Sequence, residues 1–90
     1  MSISESFKAL AVPIRREILD LLKGGKLSAG DIASHFHVTQ PAISYHLNIL
    51  KKANLVYESK YKNFVYYELN TTVFDNLIVW LQSIKGEKQK

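Results

Sequence analysis

Apolar residues recur at helical spacing through most of the chain. A short first helix is predicted by three of them: Ile3, Phe7 and Leu10. Val12-Pro13 ends that helix, since a proline disfavours helical geometry in the residue before it and suits the start of a new helix. The second helix is predicted to end at Gly24-Gly25. It carries an apolar stripe of Ile14, Ile18, Leu21 and Leu22.

The stretch 28–55 contains two further amphipathic segments with a polar break at 37–39. Ser28 is a candidate N-cap, and Asp31 follows three residues later as in an acidic capping box. Thr39 is the candidate cap of the second segment, with Pro41 in its first turn, where the missing N–H has no cost. The pattern therefore predicts two helices joined by a tight turn.

The second of these helices has two distinct faces at 100° per residue. Its apolar stripe consists of Ile43, Leu47, Leu50 and Ala53. Its polar face consists of Gln40, Ser44, Asn48 and Lys51, with Pro41, Tyr45 and Lys52 beyond it. A helix-turn-helix places such a second helix in the major groove of DNA. The alternative is an ordinary helical protein, in which a polar face is simply solvated.

After Leu55 the pattern changes to β-branched and aromatic residues, at 56–59 and again at 64–69. The intervening loop 60–63 carries Lys60 and Lys62, so we expect a two-stranded β-hairpin with a basic tip. Because it directly follows a candidate recognition helix in the sequence, this hairpin would be a wing that contacts the DNA backbone or minor groove. A polar tip is also common on exposed hairpins of no such function. The predicted fold is mainly α, a winged helix-turn-helix with five helices and a two-stranded wing.

The last predicted helix, 71–84, is apolar around nearly half its circumference, more than one small core requires. Together with the first helix it is expected to form a homodimer interface. The residues assigned to this interface are Ile3, Phe7, Leu10, Val73, Phe74, Leu77, Trp80, Leu81 and Ile84.

Composition narrows the class of protein. Ninety residues predict one domain, 1–90, and a net charge of +4 suits a polyanionic partner. With no cysteine, disulfides and thiolate metal sites are excluded. We expect a cytoplasmic protein, since neither a signal peptide nor an apolar run long enough to span a membrane is evident. No nucleophile–base set or phosphate-binding loop is found, so an enzyme is not expected.

The polar face and the wing suggest roles in DNA binding. Base readout is assigned to Thr39, Gln40, Ser44 and Tyr45, with Gln40 able to bond an adenine edge through two hydrogen bonds. Arg15 lies off the predicted stripe of the second helix, so it is either solvated or in contact with phosphate. The full predicted DNA-binding set is Thr39, Gln40, Pro41, Ser44, Tyr45, Asn48, Lys51, Lys60, Lys62 and Arg15.

Several segments resemble the ArsR family of winged-helix repressors. They are PIRREILDLLK, SAGDIASHF, TQPAISYHLNILKKANLV and FVYYELNTTVFDNLIVWL. Within the family the chain is similar to the SdpR-type branch of small, metal-independent autorepressors. The resemblance implies a dimeric transcriptional repressor that binds a palindromic DNA operator. It also leaves open a protein-interaction module, or a regulator sequestered by a protein partner.

The metal sensors of that family use thiolates on the helix-turn-helix, or carboxylates and imidazoles on the last helix. This sequence has no cysteine, and its last helix contains no histidine and the single acid Asp75. We therefore expect no metal and no cofactor. His46 is expected to be packed and hydrogen-bonded, and His35 and His37 to lie at the surface or contact backbone. The wing tip lacks the arginine and glycine of the commoner family pattern.

Overall fold

The computed structural model describes residues 3–86. The helices are α1 (Ile3–Leu10), α2 (Pro13–Leu21), α3 (Ala29–Ala33), α4 (Gln40–Lys52) and α5 (Thr71–Lys85). The strands are β1 (Leu27–Ser28), β2 (Val56–Tyr61) and β3 (Phe64–Leu69). A 3-10 turn at Leu22–Gly24 follows α2. The five predicted α-helices are confirmed within the described residues.

The sheet has three antiparallel strands in the order β1-β3-β2, so the prediction of a two-stranded wing was wrong. β1 pairs with the middle of β3, where Leu27 lies opposite Tyr67 and Ser28 opposite Tyr66. Its two residues are too few to show the alternation of a strand, and they directly precede a helix cap. This strand therefore anchors the wing to the helix-turn-helix in a way that local pattern does not reveal.

The turn of the wing is also tighter than predicted. β2 continues through Tyr61, which pairs with Phe64, so the loop is reduced from residues 60–63 to Lys62 and Asn63. Lys62 has a φ of 56°, a left-handed conformation that a two-residue hairpin connection requires. Lys60 is consequently a strand residue rather than a loop residue.

The core lies where α2, α3 and α4 meet the sheet and α5. Its fully buried large apolar side chains are Ile18, Ile32, Ile43, Leu47, Leu50 and Leu55. Burying such a side chain contributes roughly 1.5–3 kcal/mol. Because α4 alone supplies three of them, it is the helix that the core holds most firmly.

The buried face of α2 is rotated from its predicted position. Arg15, Ile18, Leu19 and Leu22 are buried, at the spacing i, i+3, i+4 and i+7 of one helix face. Ile14 and Leu21 are only half-buried. The prediction placed Arg15 off the stripe because it followed the isoleucines and leucines alone, whereas the aliphatic stem of an arginine can pack on a core.

The end of α4 is closed by a Schellman motif. Asn54 has a φ of 63°, its N–H donates to the Lys51 carbonyl at 2.9 Å, and the Leu55 N–H donates to the Leu50 carbonyl at 3.0 Å. The buried Asn70 then donates its Nδ2 to the Asn54 carbonyl at 2.9 Å. The start of α5 is thus tied to the end of α4.

Part of α5 packs into this core. Val73 and Leu77 are 3% and 7% exposed, and Asn70 precedes the helix as its N-cap residue. Within residues 3–86, no helix is both long and apolar enough to cross a bilayer.

The left-handed residue at the end of α4 provides a test of this fold. We expect Asn54→Ala to lower the free energy of unfolding by about 1 kcal/mol, since a Cβ without a compensating side-chain amide disfavours positive φ. Asn54→Gly, the matched control, should be at least as stable as the parent. Urea denaturation of the three proteins measures both. Equal losses in the two variants would contradict the role of backbone conformation.

Candidate nucleic-acid interface

The N-terminus of α4 is built as its sequence predicts. Thr39 caps it, with Oγ1 accepting a hydrogen bond from the Ala42 N–H at 3.2 Å, and Pro41 lies in the first turn. Ile43, Leu47 and Leu50 are completely buried on the opposite side. The predicted cap and apolar stripe are therefore confirmed.

This packing leaves the polar face of α4 accessible. Its exposed residues are Gln40, Pro41, Ser44, Tyr45 and Asn48, and the cap Thr39 is exposed as well. Tyr45, the largest of them, is 64% exposed. The structure thus brings together at one helix N-terminus every residue to which base readout was assigned.

The helix that precedes α4 is short and braced. Ser28 Oγ accepts a hydrogen bond from the Asp31 N–H at 3.1 Å, which confirms the predicted N-cap of α3. His35 Nδ1 lies 2.8 Å from the Asp31 carbonyl, so this exposed histidine contacts backbone as expected. Ile32 is fully buried and fixes α3 against the core. The two helices form a helix-turn-helix.

A three-residue bridge joins α4 to the wing. Glu58 Oε1 accepts from Lys51 Nζ at 3.2 Å, and its Oε2 accepts from the Tyr67 hydroxyl at 3.0 Å. The hydrogen bonds from Tyr67 and Lys51 lower the pKa of Glu58, while burial and that carboxylate raise the pKa of Tyr67 to about 12. The ammonium of Lys51 is therefore already paired with a carboxylate.

Sequence reasoning missed Glu58 and Tyr67 as residues that position the interface. They lie opposite each other in the ladder of β2 and β3, so their side chains share a face. That pairing becomes visible only once the register is known. The nearest sequence signal is the β-branched and aromatic content of 64–69, which predicts a strand but not its partner.

The two wing lysines remain exposed at the distal end of the hairpin. Lys62 occupies the turn, and its Nζ lies 5.3 Å from the centroid of the Tyr61 ring. Lys60 lies on the face of β2 that also carries Glu58, the face that packs toward α4. Both cations are therefore exposed on the wing, where contact with a phosphate backbone would need them.

Arg15 of α2 lies near enough to His46 of α4 for its charge to act on the imidazole. Arg15 is 8% exposed, and neither its Nε nor the Nδ1 of His46 has a hydrogen-bond partner within the described residues. Burial, and then the charge of Arg15, lower the pKa of His46. His46 is half-buried, and the hydrogen bond predicted for its imidazole is not formed at Nδ1. Arg15 is a core residue rather than a solvated one.

The predicted dimer residues divide into two groups. Val73 and Leu77 are core residues of the chain itself, so their assignment to a subunit interface was wrong. Phe7, Leu10 and Phe74 are half-buried, and Phe7 packs on Trp80 with ring centroids 5.7 Å apart. Exposed apolar residues on the two helices are Ile3, Ile78, Val79, Trp80, Leu81 and Ile84. Ile78 and Val79 are exposed, although neither belongs to the predicted interface set.

Among residues 3–86, no three His, Cys, Asp or Glu side chains come together in a group that could hold a metal ion.

Comparison with known proteins identifies the family. The description "Bacterial regulatory protein, arsR family" matches residues 12–58, which include the whole helix-turn-helix. The chain belongs to the ArsR family. It is a DNA-binding transcriptional repressor of this type and not an enzyme.

Individual relatives and solved structures agree with this assignment. The chain is 55% identical over 75 residues to the transcriptional repressor SdpR of Bacillus subtilis (strain 168), covering 83% of each protein. It is 38% identical over 88 residues to an arsenical resistance operon repressor of Staphylococcus aureus, covering 98% of this chain and 85% of that protein. An ArsR-like regulator from Rhodococcus sp. RHA1 superposes with a TM-score of 0.87 at 28% identity, covering 93% and 77% of the two chains.

The bridge at Glu58 predicts a pH dependence of stability. Because the folded pKa of Glu58 lies below its ordinary value of 4.5, its stabilising contribution is complete above 4.5 and is lost as pH falls through the folded value. Urea unfolding at several pH values should show the parent more stable than Glu58→Gln at neutral pH. The difference should close in acid. A difference that stays constant would contradict preferential bonding of the ionised carboxylate.

Proposed function

We propose that this ArsR-family repressor binds a palindromic DNA operator as a homodimer, with α4 of each subunit in a major groove. The observation that carries the proposal is the division of α4 into a fully buried aliphatic side and an exposed side of amide, hydroxyl and phenol groups. Such groups bond base edges, and the major groove is wide enough to admit a helix. The site of action would be the bacterial cytoplasm, where the DNA lies.

Residue roles follow from position on the interface. Gln40, in the first turn of α4, would bond an adenine edge, and Ser44 a base or phosphate one turn later. Tyr45 would contact a thymine methyl or a phosphate. Thr39, Pro41 and Asn48 would line the same contact surface.

Phosphate contacts would come chiefly from the wing. Lys60 and Lys62 are exposed there, and their attraction to phosphate does not depend on the base sequence. Lys51 contributes less than its charge suggests, because Glu58 already bonds it. Arg15 is only 8% exposed, so its proposed share in phosphate binding is small.

We further propose that α1 and α5 form the homodimer interface. Six exposed apolar residues on these helices, Trp80 among them, are enough to mark a surface that water does not favour. Aromatic anchors of this kind are enriched in the centres of protein interfaces. Val73 and Leu77 would support the surface from the core without touching the partner.

Metal independence is a third part of the proposal. The sequence has no cysteine, and α5 carries the single acid Asp75. One carboxylate per subunit is a poor ligand set for zinc or nickel.

The central experiment compares a base-reading residue with a phosphate-contacting one on an operator recovered by selection from genomic DNA. Gln40→Ala should cost on the order of 1–3 kcal/mol on the operator and little on random DNA. Lys62→Ala should weaken binding to both and reduce the salt slope by roughly one. Titrations with a chelator present should give the same affinities. Equal losses on operator and random DNA for Gln40→Ala would remove this residue from base readout.

The dimer surface is tested separately. Ile84 is 67% exposed, so Ile84→Glu should leave the fold intact but convert the dimer to monomer, because a carboxylate would be buried at the interface. Thr72→Glu, at an exposed polar position of the same helix, is the matched control and should remain dimeric. Sedimentation velocity gives the oligomeric state. A monomeric parent would overturn the homodimer proposal.

A further inference from the structure

The register of the wing sorts its side chains onto two faces. Residues directly opposite in an antiparallel ladder share a face, and alternate residues share it too. One face, which packs toward α4, carries Val56, Glu58, Lys60, Val65, Tyr67 and Leu69. The other carries three successive pairs: Tyr57 with Glu68, Ser59 with Tyr66, and Tyr61 with Phe64. Four of the six residues on this second face are aromatic.

These rings, which we call the aromatic wing face, are Tyr57, Tyr61, Phe64 and Tyr66. The first three are 55%, 63% and 56% exposed, and Tyr66 is half-buried. A tyrosine can lie at a surface with its hydroxyl in water, but Phe64 has no polar atom to hydrate. An apolar ring held in solvent on a regular sheet is a common mark of a binding surface.

We propose that the aromatic wing face binds single-stranded DNA by stacking its rings on unpaired bases. This goes beyond duplex recognition by α4 and does not depend on it, since the rings lie on the face of the wing opposite to Glu58, which bonds α4. Base–aromatic stacking tolerates any sequence because every base has a π-face. Stacking platforms of this kind combine exposed rings with cations that follow the strand.

Charge favours a polyanion over a neutral protein surface as the occupant. Lys62 Nζ lies 5.3 Å from the Tyr61 ring centroid, which puts a cation at the distal end of the rings, and the chain carries +4 overall. Glu68 lies at the opposite end, beside Tyr57. The strand would therefore bind at the distal rings Tyr61, Phe64 and Tyr66, with its phosphates directed toward Lys62 and away from Glu68.

Ring spacing favours a single strand over a duplex. Alternate residues of a strand are about 6.8 Å apart, twice the base separation of about 3.4 Å in a duplex. The Phe64 and Tyr66 centroids are 6.3 Å apart and their planes are inclined by 52°. Bases must be separated to lie on such rings one by one, and paired bases inside a duplex offer no free face.

The test measures fluorescence anisotropy of a labelled oligonucleotide of about 12 thymidines with the full-length protein at low salt. Tyr61→Leu and Phe64→Leu keep an apolar side chain but remove the ring, and each should weaken binding at least about fivefold. Phe64→Tyr keeps the ring and should bind as the parent does. Glu68→Gln should bind more tightly, since it removes a negative charge from the same face.

An abasic strand of the same length and charge separates stacking from general attraction. It should bind weakly, and with equal affinity to the parent and to the leucine variants. The proposal is overturned if the thymidine strand binds no better than the abasic strand, or if Phe64→Leu binds it as tightly as the parent. The proposal is also overturned if the leucine variants lose equal affinity for the single strand and for operator duplex, because the rings would then contact duplex. If the parent protein does not bind operator duplex but still binds the thymidine strand, the duplex proposal fails and this one stands. The two proposals therefore fail separately.

Discussion

The structure depends on three aliphatic side chains on the buried face of α4. Ile43, Leu47 and Leu50 are all completely buried, and together they fix both the position of the helix and its rotation about its own axis. Rotation decides function, because a turn of about 100° moves a neighbouring residue to the contact surface. The hydrophobic effect that stabilises the domain is thus the same interaction that exposes Gln40 and Ser44.

The two ends of α4 are held by different chemistry. At its N-terminus the Thr39 hydroxyl satisfies a free N–H, which sets where the contact surface begins. At its C-terminus Asn54 and Asn70 close the helix and join it to α5, while the Glu58 bridge joins it to the wing. Hydrogen bonds therefore connect α4 both to the wing and to the start of α5.

The two faces of the wing carry different side chains. Its inner face is tied to α4 through Glu58, which Tyr67 also bonds, and the same face carries Lys60. Its outer face exposes aromatic rings that the fold itself does not bury. A two-residue turn with a left-handed Lys62 keeps the strands paired up to the tip, so both faces remain regular to the end.

Local pattern in the sequence determined the helices, the caps of α3 and α4, and the apolar side of α4, because each depends on residues within a turn or two of one another. It did not determine β1, since two residues carry no period and their pairing with β3 is long-range. Nor did it reveal the burial of Arg15, the core role of Val73 and Leu77, or the bridge from Lys51 through Glu58 to Tyr67. Those features were decided by tertiary structure, because burial and cross-strand contact depend on which distant segments meet. An apolar stripe alone does not say whether it packs on the chain's own core or on another surface.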